Sequence, residues 1–349
     1  MAEMLDISGL VRKNILHMKP YTSARDEYSG EARVFMDANE NPFNSPLNRY
    51  PDPRQLELKR RIAGIKGMSP EHLFLGNGSD EGIDLLFRVF CEPSRDNVIT
   101  VDPTYGMYGV CAEIQGVERR SVLLLPDFSL DPEAVLQAKD QHTKLLFLCS
   151  PNNPTSNSYD REGLLTLLDR AGCLVVVDEA YIDFSREPGL LELVPQKRNL
   201  VVLQTLSKAW GLAGIRLGML FAHPQLVEYL SWVKYPYNIN RLTIDTALSA
   251  LSENGEKRMG WIGEILKERS WLAKQLEHFP FVMQVFPSDA NFLLFRVKDP
   301  ASLYQFLLKQ GIIVRNRSSV PLCEGCLRVT IGTKKENRAF VEALKIYKT

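Results

Sequence analysis

The chain has 349 residues, 45% hydrophobic and 24% charged, which suits a globular protein large enough for two cores. Lys+Arg and Asp+Glu both number 42, so the formal net charge is zero and no global basic field favours nucleic acid or an anionic membrane. No apolar run approaches the roughly 18–20 residues that span a bilayer, and the opening Met1-Ala2-Glu3-Met4-Leu5-Asp6 lacks the apolar core of a leader; a cytoplasmic location is expected.

Taken in chain order, residues 1–45 carry Pro20 and Pro42 and little periodicity. They predict an extended arm that packs on the small domain and the active site. From about 70 to 222, short apolar runs alternate with segments of helical spacing. The runs Asn97–Val101, Lys144–Cys149, Cys173–Asp178 and Asn199–Gln204 predict strands. Glu81–Phe90 and Arg161–Arg170 predict helices, the first with Leu85, Leu86, Val89 and Phe90 on one face. Runs such as Leu174-Val175-Val176-Val177 have no polar alternation, so both faces of the sheet are covered. The expected class is α/β, a mostly parallel sheet flanked by helices.

A different texture begins near residue 254. Met259, Ile262, Leu266, Leu272, Leu276 and Phe279 recur at helical spacing and predict one long amphipathic helix. Then follow a strand at Asn291–Val297, a helix at Ala301–Lys309, short strands at Ile312–Val314 and Leu327–Ile331, and a helix at Lys335–Tyr347. The expected division is an arm over 1–45, a large domain over 46–253 and a small α+β domain over 254–349, to which the arm adds.

In an open parallel sheet, ligands bind beyond the carboxyl ends of the strands. Four junctions deliver polar groups there: Gly76-Asn77-Gly78-Ser79-Asp80-Glu81, Ser150-Pro151-Asn152-Asn153-Pro154-Thr155, Asp178-Glu179-Ala180-Tyr181, and Thr205-Leu206-Ser207-Lys208 followed by Gly211, Gly214 and Arg216. Each alone is an ordinary turn or helix cap; the four together are not. Gly76-Asn77-Gly78 lacks the third glycine of a dinucleotide fingerprint. The six cysteines include one Cys323-x-x-Cys326 pair, to which no further ligands are added, so no metal is expected. Cys91, Cys111, Cys149 and Cys173 sit in or beside apolar runs and read as buried thiols.

In this order the junctions resemble those of the fold-type-I pyridoxal-phosphate aminotransferases along nearly the whole chain. The resemblance rests on Asn153-Pro154-Thr155, Asp178-Glu179-Ala180-Tyr181, Ser207-Lys208 with Arg216, and Arg328. It implies pyridoxal 5'-phosphate as cofactor. Lys208 would hold the cofactor aldehyde, a bond that needs a neutral amine. Asp178 would pair with the protonated ring nitrogen. Asn153 and Tyr181 would bond the phenolic oxygen, and Tyr105 would stack on the ring. Ser79, Asp80 and Glu81 would offer backbone N–H groups to the phosphate at a helix start, with the two acidic side chains turned away; Thr205, Ser207 and Arg216 would complete the cradle.

Three further segments resemble the histidinol-phosphate aminotransferase family: Asp37-Ala38-Asn39-Glu40-Asn41-Pro42, Arg49-Tyr50-Pro51-Asp52-Pro53 and Pro20-Tyr21-Thr22-Ser23-Ala24-Arg25. By that resemblance, Tyr50 would reach the cofactor phosphate of a second copy in a homodimer, and Tyr21 and Asn39 would help close the site. Arg315 and Arg328 would bind either one phosphate or the carboxylates of glutamate and 2-oxoglutarate, whereas Arg317 reads as a surface charge. The implied reaction is reversible amino transfer between L-histidinol phosphate and 2-oxoglutarate in histidine synthesis. An aromatic aminotransferase and a threonine-phosphate decarboxylase of the same fold remain as alternatives. Ser156 and Trp210 depart from the family's usual Gly and Phe.

Overall fold

The computed structural model describes residues 6–27, 33–253 and 255–348. The expected domain boundary at residue 254 lies outside them. Seven strands form the larger sheet: β1 (Leu73–Asn77), β2 (Asn97–Asp102), β3 (Glu118–Leu123), β4 (Thr143–Cys149), β5 (Leu174–Asp178), β6 (Leu200–Thr205) and β7 (Leu217–Phe221). Their spatial order is β1-β7-β6-β5-β4-β2-β3. All run the same way except β7, which is antiparallel to both neighbours. The four sequence-predicted strands are the central ones. Their unbroken apolar runs are explained by helices on both faces, each buried Val or Leu contributing roughly 1.5–3 kcal/mol.

Helices α1 (Lys13–Leu16), α2 (Ala24–Glu27), α3 (Leu56–Lys66), α4 (Gly78–Phe90), α5 (Met107–Gln115), α6 (Pro132–Gln137), α7 (Arg161–Arg170), α8 (Pro224–Val233) and α9 (Arg241–Glu253) belong to this part of the chain. One sheet face packs against α4, α5 and α8, burying Ile83, Leu86, Phe87 and Phe147. The other face buries Leu146, Val175, Val177, Leu167 and Leu168 among α3, α6, α7 and α9. The first part of the arm differs from expectation. Ile7, Val11 and Ile15 are buried with the α4 face of the large sheet, and Arg12 N–H donates to Val89 O at 2.9 Å. These residues are apolar at helical spacing, so they extend the large core instead of covering the small domain.

The second unit follows α10 (Gly255–Glu277). Strands β8 (Val282–Val285), β9 (Phe292–Val297), β10 (Arg315–Asn316) and β11 (Cys326–Thr330) make an antiparallel sheet in the order β10-β11-β9-β8. Helices α11 (Pro300–Lys309) and α12 (Lys334–Ile346) complete it. Leu293, Phe295, Leu327 and Val329 face Leu272, Leu276, Phe340 and Leu344 from α10 and α12. A capping box, Thr333 with Glu336, starts α12 and contributes about 1 kcal/mol. One expected strand is displaced. Ile312–Val314 is not a strand; pairing begins at Arg315, opposite Arg328. Ile312 N–H still donates to Leu307 O at 2.9 Å, closing the end of α11, so the apolar run serves the helix end and the core before the chain reaches β11.

Candidate active site

Because β1, β2, β4, β5 and β6 share a direction, their carboxyl ends open on one edge of the sheet. The reversed β7 begins at the same edge. A cleft there is lined by Ser79, Asp80, Tyr105, Asn153, Asp178 and Tyr181, and by Thr205, Ser207, Lys208 and Arg216. Ten of the sequence-predicted residues therefore meet in one place.

Asp178 ends β5 and is 3% exposed. Its carboxylate accepts the Tyr108 hydroxyl at 2.8 Å and Ala180 N–H at 3.0 Å. Burial pushes its pKa up to about 6 despite these donors. Among the described residues no cation forms an ion pair with it. Lys208, half-buried, has Nζ 5.6 Å from the Tyr181 ring centroid. Burial first, then the Arg328 and Arg216 charges, hold its amine below the usual lysine value, against Asp178 and Asp80. Tyr181 is buried, with its ring edge-on to Phe292 at 5.1 Å. Asn153 accepts a hydrogen bond from an Nη of Arg328, which joins the small sheet to the floor of the cleft.

The turn before α4 and the start of β7 meet tightly. A Cβ on Gly218 would stand 2.1 Å from Ser79 N, and one on Gly78 would stand 2.8 Å from an Arg216 nitrogen. At Gly218 the obstruction is backbone, so only glycine permits this approach; Gly78 is confined to glycine by its left-handed φ of 71°. Gly78 N–H donates to Arg216 O at 2.8 Å, and Arg216 adopts a left-handed φ of 54°, a conformation that costs a non-glycine residue about 1 kcal/mol. The result sets the Arg216 guanidinium beside the N-terminal turn of a 13-residue helix, where exposed N–H groups and the helix dipole favour an anion. Thr205 Oγ1 accepts Ser207 N–H at 3.0 Å and so shapes the neighbouring loop.

The two acidic residues of that turn behave differently. Glu81 faces away, accepting from Asn238 Nδ2 at 3.2 Å. Asp80 does not: it accepts the Tyr105 hydroxyl at 3.0 Å and lies 3.7 Å from Arg216. The expectation that both carboxylates avoid the cradle fails for Asp80, because Tyr105 and Arg216 give it two partners inside the cleft.

The arm residues lie apart from the cleft lining. Tyr21 is 72% exposed and Tyr50 51% exposed, with Tyr50 stacked on Tyr237 at 4.4 Å. Asn39 is exposed in a left-handed conformation. Asp37 and Glu40 clamp Arg25 at 3.0 and 2.7 Å, and Arg49 joins Glu40 at 2.8 Å. Burial opposes ionisation of Glu40, yet Arg49, Tyr50 N–H and Arg25 hold its pKa down at about 2. Arg315 is exposed on β10, directly across from Arg328.

Sequence reasoning missed Tyr108 and Gly218. Tyr108 stands three residues after Tyr105, hence on the same side of the chain as α5 begins; that spacing was the available signal. Gly218 gave none, since its need arises only where β7 crosses the α4 turn.

A sheet of this topology with a lysine, a buried aspartate and an anion-binding helix start at its carboxyl edge defines a cofactor-dependent group-transfer enzyme. The model of the family "Aminotransferase class I and II" matches residues 27–344, and the chain belongs to that family. A histidinol-phosphate aminotransferase of Parabacteroides distasonis is 54% identical over 342 residues, 98% of this chain and 99% of that protein. Its counterpart in Cytophaga hutchinsonii is 47% identical over 345 residues, 98% and 99% of the two chains. Among solved structures, the histidinol-phosphate aminotransferase of Clostridium acetobutylicum superposes with a TM-score of 0.79 at 25% identity, covering 86% of this chain and 90% of that one. That of Sinorhizobium meliloti, solved with pyridoxal-5'-phosphate, shares the fold at a TM-score of 0.79 and 22% identity, over 88% and 89%.

Proposed function

We propose that the protein is a histidinol-phosphate aminotransferase: it uses pyridoxal 5'-phosphate to move an amino group reversibly between L-histidinol phosphate and 2-oxoglutarate, in histidine synthesis. The observation that carries the reading is the meeting of Lys208 and Asp178 in one cleft beneath Arg328, in a chain whose relatives of that name match it end to end.

The residues fit the cofactor. Asp178 is a fully buried carboxylate supported only by neutral donors, so a protonated ring nitrogen supplies the charge it lacks. The helix start with Ser79 and Arg216 suits the phosphate. Tyr105 offers an aromatic face, and Lys208 an amine already biased towards neutrality. When bound, pyridoxal phosphate supplies an electron sink for the bond that breaks at the substrate carbon.

The protein does the rest. Asp178 would keep the ring nitrogen protonated. Lys208 would hold the cofactor and its Nζ would carry the proton to and from the substrate Cα. Tyr181 and Asn153 would orient the ring oxygen, and Asn153, which accepts a hydrogen bond from Arg328, would couple it to the substrate site. Arg328 and Arg315 receive the anionic end of each substrate in turn. The same pair of forks accepts three phosphate oxygens or two of a carboxylate, which explains how one site serves unlike partners.

The reading includes a homodimer in which Tyr50 contacts the second copy's cofactor phosphate and Tyr21 and Asn39 close over the substrate. Support comes from the exposure of Met36 (91%), Phe43 (77%) and Tyr21 (72%) along the arm, an apolar surface of the kind that marks an interface. A cytoplasmic location and the division into arm, large domain and small domain belong to the same proposal. Among the described residues no helix is long and apolar enough to cross a membrane.

Absorbance tests the whole. Adding L-histidinol phosphate without a keto acid should remove the yellow band above roughly 400 nm and raise one near roughly 330 nm. Bleaching by an aromatic amino acid alone would make the enzyme an aromatic aminotransferase. Carbon dioxide release from threonine phosphate would make it a decarboxylase.

A further inference from the structure

Arg315 and Arg328 are directly opposite in the β10–β11 ladder. One rung further, Arg317 N–H donates to Cys326 O at 2.9 Å. The two-residue alternation of strands therefore puts Arg315, Arg317 and Arg328 on one face of this hairpin. The neighbouring residues identify the face. Leu327 and Val329, on the opposite side of β11, pack into the small-domain core, whereas Cys326 packs with the large-domain cluster. Arg328 lies 5.0 Å over the Phe292 ring, and Phe292 is the residue against which Tyr181 sits edge-on. The three-arginine face looks onto the cleft floor.

Three guanidiniums on one face repel one another. Arg317 and Arg328 are both held below the usual arginine value, by burial first and by neighbouring guanidiniums after it. Two other half-buried arginines, Arg25 and Arg258, each have an acidic partner within 3.0 Å, and Arg269 is held by the Phe184 and Ala290 carbonyls. Here, among the described residues, Arg315, Arg317 and Arg328 form no ion pair. Arg317 Nε, Ser318 Oγ and Arg328 Nε are buried with no hydrogen-bond partner at all. Arginine Nε atoms without a hydrogen-bond partner also occur singly at Arg88, Arg198 and Arg258; what distinguishes this hairpin is that two such arginines and Ser318 stand together with no carboxylate among them, an arrangement that suits a ligand bringing negative charge and several acceptors.

We infer that Arg317 is a third cation of the substrate's anion site and biases that site towards a phosphate monoester over a carboxylate. The inference rests on the function proposed above. A phosphate monoester carries about −1.5 to −2 charge near neutral pH and three acceptor oxygens, a carboxylate −1 and two. Coulomb attraction scales with the ligand's charge, so a third guanidinium strengthens the phosphate's binding more than the carboxylate's. Two arginines suffice to hold either substrate; the third sets the preference between them.

The test uses the cofactor-loaded enzyme and two variants, Arg317→Gln and Arg317→Lys. Three quantities are measured: KM for L-histidinol phosphate, KM for glutamate, and Ki for inorganic phosphate as a competitive inhibitor of the glutamate half-reaction. Arg317→Gln is expected to raise the first and the third about 10-fold, with glutamate KM rising only about threefold and kcat nearly unchanged. Arg317→Lys keeps the charge but loses the fork, and should raise the inorganic-phosphate Ki about threefold without moving glutamate KM; it decides alone if the glutamine variant does not fold. Equal changes for both substrates would make Arg317 a structural residue, and no change would make it a surface charge; either overturns the inference. If the wild-type enzyme rejects L-histidinol phosphate, the proposed function fails, while the inorganic-phosphate comparison still decides the role of Arg317.

Discussion

On the floor of the cleft, Asp178 is held by Tyr108, and Asn152 bonds Pro103 O and Thr155 Oγ1 at 2.8 and 2.7 Å. On the roof, Arg317 and Arg328 keep buried nitrogens with no partner. The floor is thus a network complete in its hydrogen bonds and short of one positive charge. The roof is an excess of positive charge with donors to spare. A polar cluster whose bonds are satisfied internally is rigid before any ligand arrives, while one left unsatisfied is finished by what binds to it.

That contrast breaks most severely at Lys208. Lys208→Ala should lower turnover by about 10⁴-fold or more, leaving the thermal unfolding midpoint nearly unchanged, since the side chain is half-buried and, among the described residues, makes no hydrogen bond to the core. Turnover near the wild-type rate would remove Lys208 from the mechanism. Asp178→Asn keeps the shape of the floor and removes its charge; kcat is expected to fall by about 10²–10³-fold, with cofactor binding weakened. On the roof, Arg328→Lys retains a charge but loses the planar fork, so kcat/KM for both substrates should fall about 10–100-fold. A loss confined to L-histidinol phosphate would mean that glutamate is held elsewhere.

The smaller effects sharpen the contrast. Tyr108→Phe deletes the hydrogen bond to Asp178, worth about 1–2 kcal/mol, and should reduce kcat about tenfold or less. The pH dependence of stability follows from burial. Asp178 is pushed up to about 6 and Glu179 to about 7, above the ordinary carboxylate range near about 4. Between those limits the folded state holds more protons than the unfolded chain, so stability falls as pH rises and levels off above about 7. The cofactor-free protein should therefore melt at a lower temperature at pH of about 7 than at about 5. In Asp178→Asn the fall should be smaller, Glu179 alone remaining. An equal fall would show that Asp178 is already ionised across the range.

Much of the floor could be read in the sequence because strand ends deliver residues in chain order. Asn153, Asp178, Thr205 and Lys208 each follow an apolar run, and a parallel sheet brings all such ends to one edge. The roof was harder. Ile312–Val314 is apolar and reads as a strand, whereas the ladder begins at Arg315, and without that register the shared face of Arg315, Arg317 and Arg328 has no signal in spacing alone. Asp80 was misjudged for a related reason. Its helix-start position was legible, but its bond to Tyr105 depends on two loops more than twenty residues apart. The arm's acidic residues were legible as a segment, yet their pairing with Arg25 and Arg49 is a tertiary fact.

The reversal of β7 has an engineering consequence. Lys208 and Arg216 both lie on the excursion between Thr205, the last residue of β6, and Leu217, the first of β7, whose strands are hydrogen-bonded neighbours. A short loop closed by adjacent strands gives up little further chain entropy in placing both residues. The same economy makes the two inseparable: an insertion between them shifts the amine and the guanidinium relative to each other.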